Sequence, residues 1–242
     1  MKLKGEIFTV KELMVSQKNR MCQLLNQYFN HITSDCFEKD LREKDWIIVL
    51  SDSSSGVIQG FSTQKLLRAS VYGQTVRVIF SGDTIIDKNF WGGTALVKKW
   101  FELVFSLLEE ERNSKLYWFL ISMGFRTYRY LPVYFHDFYP CFNKDTPSQE
   151  KAILDTFASM KYPDQYDADK GIIHFSGDAA CLKENYAEVP EHKLMDHHIK
   201  YFLEKNPFYA KGDELACLAE LSESNFKPIV RKLTGELSKS GV

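Results

Sequence analysis

Around Gly92-Gly93 the apolar residues of this 242-residue chain change their period. Before the pair, Gln74 to Ile86 alternates as a half-buried strand does, with Val76, Val78 and Phe80 on one face. After it, Leu96, Trp100, Leu103, Val104, Leu107 and Leu108 recur at threes and fours, while Lys98, Lys99, Glu102 and Glu109-Glu110-Glu111 face away or end the stripe. A strand therefore passes through a glycine turn into a long helix over Gly92 to Glu111. Leu116 to Ile121 is then continuously apolar and of strand length, the pattern of a central strand covered on both faces. This succession places the chain in the α/β class.

The flanking segments extend the pattern. Val10 to Phe29 reads as an amphipathic helix through Val10, Leu13, Met14, Met21, Leu24, Leu25 and Tyr28. Trp46 to Leu50 and Val57 to about Leu67 read as an antiparallel hairpin around Ser53-Ser54-Ser55-Gly56. Beyond an aromatic stretch from Arg126 to Phe142, Ile153, Phe157 and Met160 mark a further helix, and Gly171 to Phe175 a short strand. Glu191 to Glu204 reads as helical, and Glu214 to Leu221 fits either a strand or a helix. Asp145-Thr146-Pro147 is the internal boundary, dividing a core over 1–145 from a part over 146–242 that completes the sheet and carries a helical insert.

Composition excludes several classes. Thirty-one Lys and Arg against thirty-two Asp and Glu leave a net charge of −1, so no basic field exists to attract nucleic acid. No apolar run reaches the roughly 20 residues of a membrane span. The first fifteen residues carry too many charges for a signal peptide. Five cysteines without a C-x-x-C spacing fit neither a disulfide framework nor a zinc knuckle, and the expectation is a cytoplasmic protein with reduced thiols.

The order helix, three strands, glycine turn, helix, strand resembles the acyl-CoA N-acyltransferase superfamily, GNAT, over about Val10 to Phe135. The resemblance implies a mixed, mostly antiparallel sheet flanked by helices. In that family a turn of the form Arg/Gln-x-x-Gly-x-Gly/Ala opens a helix whose amides hold the pyrophosphate of coenzyme A. Here Phe90-x-x-Gly93-x-Ala95 keeps the last two positions and loses the polar first one. Gly92, Gly93, Thr94 and Ala95 then supply the amides, with Trp91 beside them and Lys88 as a nearby charge; the backbone at Ile85 and Ile86 faces the acyl oxyanion. The donor implied is acyl-CoA or the phosphopantetheine arm of a carrier protein.

Acyl transfer needs a base, an oxyanion cradle and an acid for the thiolate. Asp83, beside Gly82 near the end of the third strand, is the candidate base; its structural alternative is an acid bonded to backbone amides at a bulge. Tyr134 stands where the family places the tyrosine that protonates the thiolate, within Thr127-x-x-Tyr130-x-x-x-Tyr134. His136 and Tyr139 are alternative proton carriers or parts of an aromatic wall. Arg126 and Arg129, on either side of Tyr128, either pair with a substrate carboxylate or are exposed basic residues that cover the aromatic cluster. The aromatic richness from Tyr128 to Phe142 points to a small apolar or aromatic acceptor. His192, His197 and His198 lack the spacing that shares a helix face, so no metal site is expected.

Overall fold

The computed structural model describes residues 2–175 and 179–235. The strand Leu3–Thr9 (β1) precedes the helix Val15–Tyr28 (α1), a two-residue strand Phe29–Asn30 (β2) and the helix Ser34–Arg42 (α2). The alternation of Leu-Lys-Gly-Glu-Ile-Phe-Thr makes β1 an edge strand. It pairs with Trp46–Asp52 (β3) from Leu3↔Asp52 to Thr9↔Trp46. The helix expected from Val10 therefore starts five residues later, because Leu13 and Met14 are extended as the chain leaves the sheet.

The hairpin of β3 with Ile58–Val71 (β4) turns through Ser53 to Gly56, where the Asp52 carboxylate accepts the amides of Ser54 and Ser55. A second hairpin joins β4 to Gln74–Ile86 (β5) through Tyr72 and Gly73, both at positive φ (50° and 77°), which matches the twist of the paired strands. Next come the helix Ala95–Glu110 (α3), the strand Leu116–Ser122 (β6), and the short helices Phe125–Tyr128 (α4) and Tyr130–Tyr134 (α5). The helix Ser148–Lys161 (α6) leads to the strands Tyr166–Asp167 (β7) and Ile172–Ile173 (β8). The insert consists of the strand Cys181–Leu182 (β9) and the helices Glu184–Ala187 (α7) and His197–Lys205 (α8). The strand Glu214–Glu220 (β10) and the helix Pro228–Thr234 (α9) end the described chain.

The eight-stranded sheet runs β1-β3-β4-β5-β6-β10-β8-β7, and every pair is antiparallel except β5–β6. Glu214 to Leu221 thus resolves as a strand, beside β6 from Leu215↔Ser122 to Glu220↔Tyr117. One face of the sheet is covered by α3, α4, α5, α8 and α9, with Phe101, Val104, Trp118 and Phe135 in the core. The other face is covered in two patches. One, around Ile47, Val49 and Phe61, packs α1 and α2, and the other, around Val78, Phe80 and Phe119, packs α6. Where α3 ends, the guanidinium of Arg77, fully buried, donates to the carbonyls of Leu107, Glu111 and Ser114 and so occupies the helix's free acceptors. No helix among the described residues is long and apolar enough to cross a membrane.

Candidate functional site

β5 and β6 stay together only from Arg77↔Leu116 to Ser81↔Leu120. Past that point β5 keeps its bond to β4 as far as Ile86, and β6 keeps its bond to β10 as far as Ser122. A bulge marks the parting. Ser62 pairs with Thr84 and Gln64 with Ser81, so Gly82 and Asp83 together oppose Thr63, and the extra residue bends β5 away from its parallel neighbour. The Asp87 amide bonds Gln59 O at 2.7 Å. Alternation along the strand then turns the amide and carbonyl of Ile86 into the gap and those of Ile85 toward β4. The Ile86 carbonyl accepts the Trp91 indole N–H at 2.8 Å, leaving the Ile86 N–H as the donor facing the gap.

A buried phenol braces the turn that follows, alongside the bond of the Asn89 amide to the Asp87 carboxylate. Tyr28 donates its hydroxyl to Asp87 Oδ2 at 3.1 Å and accepts the Lys88 amide at 2.7 Å. Burial pushes this phenol up to about 12. Gly92 has a φ of +84°, which a side chain rarely adopts, and Gly92, Gly93 and Thr94 are exposed. Thr94 does not cap α3 with its side chain, and the amides of Ala95, Leu96 and Val97 have no hydrogen bond among the described residues. These are orphan donors at the positive end of a 16-residue helix. The Lys88 side chain is exposed beside them, and Phe90 is half-buried.

On the α3 face the gap opens into a narrow apolar slot lined by Ser62, Ser81, Thr84, Trp100, Trp118, Thr127, Tyr130 and Tyr134 among others, with about 420 Å³ of empty space including its mouth. Its floor is a closed hydrogen-bond chain. Gln64 donates to Ser62 Oγ (2.7 Å) and accepts from Ser81 Oγ (2.7 Å) and the Trp100 indole (3.2 Å), while Trp118 donates to Ser81 Oγ (2.9 Å). A fully satisfied buried network of this kind fixes its members rigidly. Tyr134 lines the slot, with burial raising its phenol.

Asp83 lies on the opposite face of the sheet, half-buried and without a hydrogen bond among the described residues, so it is not an acid tied to backbone amides. Burial, and then the charge of Asp40, push it up to about 6 against the pull of Lys44. Sequence reasoning missed its neighbours. Glu214 on β10 is pushed up to about 8 by burial and by Asp83, and Tyr162 is raised well above its ordinary value by burial and then by Glu214, Asp40 and Asp83. Glu214 sat in the segment whose secondary structure was ambiguous. Its face was therefore undefined until β10 paired with β6.

The remaining expected residues go elsewhere. Arg126 stacks over the rings of Trp91 (4.6 Å) and Phe125 (4.7 Å) and donates to Tyr186 O at 2.9 Å, bridging the end of β5 to the insert. Tyr128 is fully buried, donates its hydroxyl to Pro140 O and packs on Phe138 and Phe202, so it is a core residue and does not line the slot. Arg129 pairs with Asp196 of the insert at 3.5 Å. His136 is exposed, and its amide bonds Asn225 O, away from the slot. Tyr139 exchanges backbone bonds with Leu218 at 2.8 and 2.7 Å and extends the sheet beside β10. His197 and His198 pack on Phe142, and burial lowers His198.

No protein-family profile matches the sequence, and no curated protein does. Solved structures with a similar arrangement include glucosamine-6-phosphate N-acetyltransferase from Arabidopsis thaliana, at 18% identity over 48% of this chain and 81% of that one, with a TM-score of 0.36. A GNAT family N-acetyltransferase (YhbS) from Escherichia coli in complex with CoA matches at 16% identity over 50% of this chain and 64% of that one, TM-score 0.33. A mutant AtaT toxin bound to the C-terminus of the antitoxin AtaR and acetyl-CoA matches at 15% identity over 62% of this chain and 90% of that one, TM-score 0.42. At this depth the likeness is to N-acetyltransferases of the GNAT kind in fold alone. The chemistry rests on the site itself.

Proposed function

We propose that this chain is an acyltransferase that takes an acyl group from a thioester, on coenzyme A or on the phosphopantetheine arm of a carrier protein, and passes it to a small amine or hydroxyl acceptor. The observation that carries the reading is the parting of β5 from β6 at a bulge, directly before a helix whose first amides are unbonded. Beyond Ser81↔Leu120 no backbone pairing joins β5 to β6 among the described residues. A donor entering from the α3 face would lay its diphosphate on the amides of Ala95, Leu96 and Val97 near Lys88, and direct its carbonyl oxygen at the Ile86 N–H. From the other face, Asp83 takes the acceptor's proton as the nucleophile attacks the carbonyl carbon. The tetrahedral oxyanion collapses with loss of the thiolate, which receives a proton from Tyr134.

The slot is narrow, holding about one or two waters, so a pantetheine arm enters only when Tyr130 and Tyr134 swing outward. That narrowness, with Phe90 in the place of a polar motif residue, favours a second reading: a non-catalytic member of the fold. A thermal-shift titration with coenzyme A and acetyl-CoA tests the proposal. A ligand at about 100 times its dissociation constant stabilises the folded protein by about 2.7 kcal/mol. A shift that is lost in a folded Gly93→Trp variant supports the amide cradle, and thiol release with an acceptor separates catalysis from binding. Absence of any shift up to millimolar ligand would exclude free coenzyme A, and the carrier-protein thioester would be assayed next.

A further inference from the structure

β1 ends the sheet, and no strand lies along its outer side among the described residues. Its pairing with β3 runs from Leu3↔Asp52 to Thr9↔Trp46 without a bulge, whereas the pairings of β3 with β4 and of β4 with β5 are each interrupted. The bond of the Ser53 amide to Lys2 O fixes the alternation. The backbone groups of Lys2, Lys4, Glu6 and Phe8 turn to β3, and those of Leu3, Gly5, Ile7 and Thr9 turn outward. Glu12 Oε2 accepts the outward amide of Thr9 at 2.7 Å, so the free edge runs from Leu3 to Ile7. A straight edge without proline or bulge is a template for another strand. At the far end of the sheet β7 has only two residues. The stretch of β4 beyond Gln64, also unpaired on its β3 side, carries Lys65 and Arg68 and no acid to face them in a second copy.

The side chains of β1 alternate as well. Leu3 and Ile7 pack on the α3 face, and Gly5 between them adds nothing; the place its Cβ would take holds Lys99 Cγ at 2.6 Å. Lys4 and Glu6 point to the other face, exposed and 3.1 Å apart. A second copy lying antiparallel on this edge can take several registers, and the charges choose among them. With a twofold axis through Gly5, Gly5 exchanges backbone bonds with Gly5 of the second copy, Leu3 with Ile7, and Ile7 with Leu3. Lys4 then stands directly opposite Glu6 of the second copy, and Glu6 opposite its Lys4, at the unbonded positions where facing side chains come closest. An axis through Lys4 or Glu6 sets that residue against its own copy, and one through Leu3 sets Lys4 against Lys2. An axis through Ile7 leaves Lys4 and Glu6 facing Val10 and Phe8. Gly5 is the centre about which both charges are matched.

We propose that this edge is an interface between two copies of the chain, joined β1 to β1 about a twofold axis through Gly5, so that two eight-stranded sheets continue as one. The same edge serves both copies, so the assembly closes at two and leaves no free β1 to recruit a third. The pairing stands independently of the acyltransfer reading.

The test is sedimentation velocity of the full chain, free of any tag at its N-terminus, over concentrations from about 1 to about 200 μM. A dimer is expected, and it should weaken as salt is raised, because the matched charges lie at the surface. Lys4→Glu and Glu6→Lys, each alone, set like charges opposite each other twice across the axis, and each should raise the dissociation constant at least about tenfold. Mixed in equal amounts, the two variants should pair again, since every acid of one chain then faces a lysine of the other. No change inside either chain can produce that recovery, and melting temperatures of the separate variants report that each is folded. A parent that stays monomeric over the whole range overturns the proposal and leaves the edge to a strand of some other protein. A dimer that both single variants leave unchanged, or a mixture that associates no more tightly than either variant alone, overturns it too.

Discussion

Replacing Glu214 by Gln should stabilise this protein, by an amount that grows with pH. The side chain has no hydrogen bond or ion pair to lose among the described residues, and Gln keeps nearly the same shape. Burial, then the charge of Asp83, raise this carboxyl from its ordinary 4.5 to about 8. A carboxyl raised in the native state holds a proton that the unfolded chain has already released, so between those two pH values stability falls as pH rises. Near pH 4 both states are protonated, and the substitution should change little. At pH 7, about 2.5 pH units above the unfolded value and at 1.36 kcal/mol for each, the native protein carries a penalty of about 3 kcal/mol that the variant lacks. Above pH 8 the difference should level off near 5 kcal/mol. Urea midpoints of the two proteins, taken at each pH from 4 to 9, measure it directly. A difference that is flat with pH, or a variant less stable than the parent at pH 7, would refute the reading of Glu214 as a buried carboxyl without a partner.

Three further outcomes are expected. Tyr28→Phe removes the two hydrogen bonds that its hydroxyl makes to the turn before α3, and should cost about 1–2 kcal/mol of stability while weakening the coenzyme A thermal shift. Arg77→Met removes the donor to the carbonyls of Leu107 and Ser114, leaves Glu111 O with only the Ser114 amide and strips Glu111 of its buried cation, and should lower stability by about 3–5 kcal/mol in a denaturant titration without altering ligand preference. Gly60→Ala would place a Cβ 2.9 Å from Ile85 O and 3.1 Å from Leu50 Cδ1, so β4 and β5 must move apart at about 1–3 kcal/mol, read as a lower melting temperature.

What the sequence by itself determined were the elements whose signal is local. The limits of β5, the helix behind the glycine pair and the doubly covered strand β6 follow from hydrophobic period, which a chain expresses within a dozen residues. The glycine turn and its free helix amides were legible for the same reason, as was a bulge beside Gly82. The edge strand β1 escaped because Lys4 and Glu6 alternate with its apolar residues as they would in a polar tail, and only pairing with β3 gives that pattern a meaning. The aromatic stretch misled in part: Tyr134 lines the slot, whereas Tyr128, from the same run, is sealed in the core by Pro140 and Phe202. Side-chain direction in a short, proline-broken helix pair is set by what packs on it, and the insert doing the packing comes some seventy residues later. The setting of Asp83 and Glu214 depended on tertiary structure entirely. Asp83 and Glu214 sit on strands separated by β6, and the face each presents follows from the bulge in β5 and the register of β10 with Ser122. Periodicity assigns each acid to a face, but long-range pairing decides which acids share one, and with it where an unmatched charge remains.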